Sequence, residues 1–197
     1  MTPFRLGLTG SIGMGKSTTA AMFAEQGIPV WDADGAIHRL YAPGGAAVLA
    51  LAALCPAALE DGGINRKALK TWIARDPSAL TQIEAAVHPL VAADRAAIIA
   101  NCTADIILLD IPLLFETGVD AQLDATLVVT APAALQRARV LARPGMSEAL
   151  FDIILARQMP DSDKRARATH LIETLSIQAV RACVTALIAY IREAKDA

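Results

Sequence analysis

The sequence predicts an α/β fold, a parallel sheet of five short buried strands with helices between them, and three observations predict it. The stretch Gly10-Ser11-Ile12-Gly13-Met14-Gly15-Lys16-Ser17 fits G-x-x-x-x-G-K-[ST] without a gap, after an apolar run and before a helical pattern. Short apolar or β-branched runs recur at 4–9, 28–32, 105–110, 124–130 and 169–173, as buried parallel strands require. The runs 28–32 and 105–110 end on Asp32 and Asp110, and in open α/β sheets the carboxyl ends of the strands face the ligand.

The first run, Phe4 to Thr9, leads into the glycine-rich loop, and Thr18 to Gln26 continues as a helix that Gly27 stops. Glycines let the backbone fold closely round phosphate oxygens with successive N–H groups aimed inward. Ser11, Ile12, Gly13, Met14, Gly15, Lys16, Ser17 and Thr18 are therefore the candidate phosphate and nucleotide contacts. Lys16 is placed to neutralise the outer phosphates, the Ser17 hydroxyl to hold Mg²⁺, and the helix to direct its positive end at the anion. The second strand, Ile28 to Asp32, delivers Asp32-Ala33-Asp34 into the next connection. Asp34 is either the N-cap of the helix that follows or a carboxylate for chemistry, and one side chain is able to serve both.

Residues 36–101 are Ala-rich and read as several helices, divided at Pro43-Gly44-Gly45, Glu60-Asp61-Gly62-Gly63 and Asp76-Pro77, with no strand pattern between them. That is longer than a crossover needs, which suits a substrate-binding subdomain. Taken alone, Arg66 and Lys67 read as a solvated helix face and His88, before Pro89, as a helix boundary. The strand ending at Asp110 resembles the second acidic element of nucleotide-binding loops, or it is simply a strand end. Arg137, Arg139 and Arg143, then Arg157, Lys164, Arg165 and Arg167, form a basic helix–turn–helix segment. Above a bound triphosphate such a segment acts as a lid; without one it is an exposed helix pair balanced by Glu148, Asp152, Asp161 and Asp163. The expected division is a core of 1–35, 102–136 and 168–197, a helical subdomain at 36–101 and a lid at 137–167.

A chain of 197 residues, 54% of them hydrophobic, is large enough for one substantial core. Its net charge of −2 gives no overall attraction to nucleic acid or to an anionic membrane, and neither partner is expected. Cys55, Cys102 and Cys183 are odd in number, scattered and set in apolar or Ala-rich segments, so buried, reduced thiols in a cytoplasmic protein are expected. The N-terminus has no signal pattern, and the longest uncharged apolar stretch, residues 46–59, is broken by Pro56.

Four blocks in order resemble the dephospho-coenzyme A kinase family: Leu8 to Thr18, Asp32-Ala33-Asp34, His88-Pro89-Leu90, and Pro112-Leu113-Leu114-Phe115-Glu116. The match thins toward the C-terminus, where Ala168-Thr169, Thr174 and Ser176 stand in place of the family's usual Ala-Asp pair, Asn and Gly. The resemblance implies a P-loop kinase fold in three α/β/α layers, with a helical substrate-binding insertion and a helical lid. It implies transfer of the γ-phosphoryl of ATP, with Mg²⁺, to the 3′-hydroxyl of dephospho-coenzyme A, the last step of coenzyme A synthesis, by a monomer or small homo-oligomer. Asp34, Lys16, Arg143 and Arg137 become the implied catalytic residues, and Thr9, Asp34, Arg66, His88, Pro112, Leu113 and Glu116 the implied substrate contacts. Another small-molecule or nucleoside monophosphate kinase on the same fold is the alternative. A GTP-driven switch is disfavoured because no Asn-Lys-x-Asp stretch occurs, and an inactive scaffold because Lys16, Ser17 and Asp34 are intact.

Overall fold

The computed structural model describes residues 2–196, the side chains through residue 194. In chain order the elements are β1 (Phe4–Thr9), α1 (Lys16–Glu25), β2 (Val30–Asp32), α2 (Ala33–Tyr41), α3 (Val48–Leu54), β3 (Leu59–Glu60), β4 (Gly63–Ile64), α4 (Arg66–Arg75) and α5 (Ala79–Ala100). They continue as β5 (Ile106–Asp110), β6 (Ala125–Thr130), α6 (Ala133–Leu141), α7 (Glu148–Ala156), α8 (Asp161–Arg167), β7 (His170–Glu173) and α9 (Ile177–Asp196). By its contacts the chain divides into two compact units, residues 1–30 with 102–197, and residues 31–101; segment 137–167 falls in the first.

The first unit is built on a five-stranded parallel sheet of order β2-β5-β1-β6-β7, the architecture expected from the strand runs. The centre is occupied by β1, β5 and β6 because these strands are apolar on both faces; every residue of β5 and β6 is buried. On one face Leu6, Leu8, Ile106, Leu108, Leu127 and Val129 share a core with Phe23 of α1 and with Val184 and Ile188 of α9. Toward the other face β1 presents Gly7, where a Cβ would lie 2.2 Å from Leu123 and 2.6 Å from Leu114, so the missing side chain is what lets those leucines cover the sheet. The ends of the sheet are held by Arg5, whose guanidinium donates to Asp124 at 2.7 and 3.0 Å, and by Arg192, which donates to Asp105 at 2.6 Å.

The second unit has its own core of Leu40, Val48, Leu51, Ala58, Ile64, Leu69, Ile83 and Val87. Two sequence expectations change here. A two-stranded antiparallel hairpin, β3 with β4, interrupts the helices. Its turn carries Asp61 at φ 49° and Gly62 at φ 77°, the pair of left-handed residues that a tight hairpin needs. Asp-Gly was the visible signal, but strands of two residues carry no period. His88 and Pro89 lie inside the 22-residue α5 rather than at its boundary. There Ile83 and Val87 are buried in the unit's core while His88 and Pro89 face outward. A third expectation also fails: Cys55 is buried, but Cys102 is only half-buried and Cys183 is exposed. Among the described residues no helix is long and apolar enough to cross a membrane.

Candidate active site

The loop joining β1 to α1 reverses tightly, Met14 N–H donating to the Ser11 carbonyl at 3.1 Å. Gly13 and Gly15 adopt φ of 80° and 88°, which a side chain would strain, and both are also crowded from outside. A Cβ on Gly13 would meet Val140 at 2.4 Å, and one on Gly15 would meet Thr174 at 3.2 Å. Gly15 is the N-cap of α1 and supplies no side-chain cap, so the first-turn N–H groups of α1 are left to an anion. Lys16, Ser17 and Thr18 open that turn, Ser17 and Thr18 exposed. The Lys16 ammonium is in contact with the Asp110 carboxylate at the end of β5, whose side chain is 6% exposed. Asp110 is thus joined to the loop's own lysine.

Side chains from three other segments hold this loop. Gln136 of α6 donates from Nε2 to the Ile12 carbonyl at 2.8 Å, and Gln158, just past α7, accepts the Ile12 N–H at 3.0 Å. Thr174, just past β7, donates from Oγ1 to the Met14 carbonyl at 2.9 Å. Thr9 Oγ1 donates to the Pro112 carbonyl at 3.0 Å, tying the end of β1 to the segment after β5. Ser11 Oγ is buried without a hydrogen-bond partner.

Beside the loop lies a cavity of about 440 Å³, bordered by Gly13, Gly15 and Thr18 on one side and by Arg139, Arg143, Thr174 to Ile177 and Val180 on the others. Its composition suits a nucleotide: loop backbone and guanidinium groups for phosphate, with Ile177 and Val180 as apolar wall. Arg139 is locked in place, donating to Thr174 Oγ1 at 2.9 Å and to the Thr174 carbonyl at 2.5 Å. Arg143, two residues beyond the end of α6, is exposed. Arg137 instead faces α7, paired with Glu148 and stacked over Phe151 at 5.9 Å.

The Pro112 to Glu116 block is split in function. Leu114 and Phe115 are buried core, while Leu113 is exposed. Glu116 accepts Lys164 Nζ at 2.8 Å and the Met159 N–H at 2.8 Å. The Lys164 side chain is fully buried, so this bridge fastens the turn between α7 and α8. Burial pushes the Glu116 carboxyl up, but the Lys164 and Met159 donors outweigh it and hold the group below the usual glutamate range. Thr130 adds a second fastening, donating to Asp161 Oδ2 at 2.7 Å.

In the second unit Asp32, not Asp34, is the N-cap of α2; its carboxylate accepts Asp34 N–H at 3.2 Å and Gly35 N–H at 2.8 Å. Asp34 is exposed in the first turn, its carboxylate spared from capping. Arg66, exposed at the start of α4, lies 5.6 Å from the Tyr41 ring centre, and His88 is exposed on α5. Sequence reasoning missed Asp94, which accepts Trp31 Nε1 at 2.7 Å and the Arg39 guanidinium at 2.7 Å. It also missed Gln136 and the work of Thr174. Gln136 is one polar residue among many on α6, and Thr174 stood out only as a departure from a pattern.

A glycine-rich loop between the first strand and first helix of a parallel β2-β5-β1-β6-β7 sheet, with an arginine-bearing helical arm beside it, defines the class: a P-loop kinase. The family model for dephospho-CoA kinase matches residues 4–178. Dephospho-CoA kinase of Cereibacter sphaeroides is 68% identical over 197 residues, covering 100% of both chains. That of Jannaschia sp. is 59% identical, covering 96% of this chain and 98% of its own. The crystal structure of TT1252 from Thermus thermophilus superposes with a TM-score of 0.84 at 36% identity, over 96% of this chain and 98% of that one. Dephospho-CoA kinase from Campylobacter jejuni shares the fold, with a TM-score of 0.68 at 21% identity over 97% and 98% of the two chains. The chain belongs to the dephospho-CoA kinase family, and its substrates are ATP and dephospho-CoA.

Proposed function

We infer that the γ-phosphoryl of ATP is transferred to the 3′-ribose hydroxyl of dephospho-CoA, with the β1–α1 loop as the phosphate seat. The observation that carries this is the loop itself: an N-cap glycine with no side-chain cap, a lysine at the first helical position, and a 440 Å³ cavity alongside. Phosphoryl transfer asks little covalent chemistry of the protein, so positioning and charge compensation supply most of the acceleration. Lys16, at the first position of α1 and against Asp110, offsets charge on the outer phosphates. Arg143 offsets charge from the cavity's edge, while Arg137, held by Glu148 and Phe151, steadies the arm that carries it.

Asp34 accepts the proton of the attacking hydroxyl; its support is its position after a strand end and its freedom from the cap that Asp32 supplies. Ser17 is an exposed hydroxyl at the start of α1 and Asp110 a carboxylate at the end of β5, hard oxygen donors of the kind Mg²⁺ takes alongside phosphate and water. Those two residues would hold the ion, which when bound neutralises charge on the phosphoryl oxygens. In the second unit Arg66 and His88 are exposed groups suited to an anionic acceptor; in the first, Thr9, Pro112 and Leu113 are the proposed contacts and Glu116 holds the arm. The test is turnover of ATP with dephospho-CoA and with a panel of nucleoside monophosphates. Turnover with dephospho-CoA is expected, and turnover confined to a nucleoside monophosphate would contradict the reading.

A further inference from the structure

A phosphate loop works only if the N–H groups that hold the anion face toward it and the carbonyls preceding them face away; here the Ile12 and Met14 N–H groups are already engaged, by Gln158 and by the Ser11 carbonyl. The chain has no cis peptide among the described residues, and in a planar trans peptide the C=O and the following N–H point in opposite directions. Holding a carbonyl from outside therefore aims the next residue's N–H inward. Two of the loop's carbonyls are held in this way, by two side chains to which phosphoryl transfer assigns no part. Gln136 Nε2 donates to the Ile12 carbonyl at 2.8 Å, which turns the Gly13 N–H the other way. Thr174 Oγ1 donates to the Met14 carbonyl at 2.9 Å, which does the same for the Gly15 N–H.

Both donors are themselves fixed. Gln136 is 5% exposed, on the face of α6 that lies against the loop, its own carbonyl 3.1 Å from where a Gly13 Cβ would stand. Thr174 is 5% exposed, and its hydroxyl accepts Arg139 at 2.9 Å. That guanidinium occupies a lone pair and leaves the single hydroxyl proton for a carbonyl, either Met14 or, at 3.2 Å, Thr130. Glycine has the most conformational freedom to lose, and without these donors the 12–13 and 14–15 peptides could flip.

We propose that Gln136 and Thr174 are positioning residues that preset the Gly13 and Gly15 N–H groups for the nucleotide's polyphosphate. The inference rests on the nucleotide seat argued above and adds how that seat is organised before the nucleotide arrives. Ordering the loop in advance removes a cost from binding, so the effect belongs in nucleotide affinity.

The experiment is calorimetric titration of the full chain with ADP, together with thermal melting of the unliganded protein. Thr174→Val keeps the shape and removes the hydroxyl; Gln136→Met keeps the length and removes the donor. Each is expected to raise the ADP dissociation constant roughly three- to tenfold, the range of one net hydrogen bond. Thr174→Ser, which restores the hydroxyl, is expected to return the affinity to within about twofold of the wild type. Should the valine variant fail to fold, the methionine variant carries the test. Unchanged ADP affinity in the folded variants, or a loss that serine does not rescue, overturns the proposal while leaving the nucleotide seat intact. Absence of ADP binding by the wild-type chain overturns the seat itself and this inference with it.

Discussion

Lys16 meets two demands at one position: it begins α1, where an anion is favoured, and its ammonium lies against Asp110. Removing a donor of this kind typically costs a hundredfold or more in turnover. Lys16→Ala should therefore lower kcat by at least about a hundredfold in a coupled ADP-release assay, and Arg143→Ala by a similar order. If Arg143→Ala changes only the affinity for ATP, its part is binding alone. Asp32 and Asp34, two residues apart, separate stability from chemistry. Asp32→Ala should cost about 1 kcal/mol in urea unfolding through loss of the α2 cap. Asp34→Asn should leave stability unchanged and lower kcat; near-normal turnover would exclude it as the base.

At the scale of elements, the turn between α7 and α8 is the anchor of the helical arm. Lys164 is fully buried and depends on Glu116, with the Pro112 carbonyl at 3.5 Å as a weaker partner. Glu116→Ala would leave a buried ammonium without its counter-ion, and a loss of about 3 kcal/mol is expected in denaturant titration. The pH dependence has a definite sign. The Glu116 carboxyl is held below its ordinary value of 4.5, so its contribution is fully present above that value and is lost as pH falls through the depressed one. Acid unfolding followed by circular dichroism should show Glu116→Gln with a flatter decline below about pH 4.5 than the wild type. Most of the elements were legible in the sequence because buried parallel strands write themselves as unbroken apolar runs; Ile106 to Asp110 is an instance. The β3–β4 hairpin was not, since two-residue strands have no period, and neither was the helix running through His88-Pro89, whose continuity depends on Ile83 and Val87 packing into a core assembled from distant segments.

For the molecule as a whole, the loop motif stated that phosphate is held but not how the loop is kept in shape. Gln136, Gln158 and Thr174 reach it from positions 124, 146 and 160 residues away in sequence, and nothing in the sequence around them says that they bond the loop. Family membership specifies the substrates; the residues that act on them remain the proposals above. The measurement that bears most directly on the account is to locate the phosphate gained when ATP and dephospho-CoA are turned over, by phosphorus NMR of the product, in the wild-type chain and in Asp34→Asn. A single new phosphate on the 3′-hydroxyl, formed by the wild type and at least about a hundredfold more slowly by the variant, is the predicted result. Phosphate at another position, or equal rates from the two proteins, would contradict it.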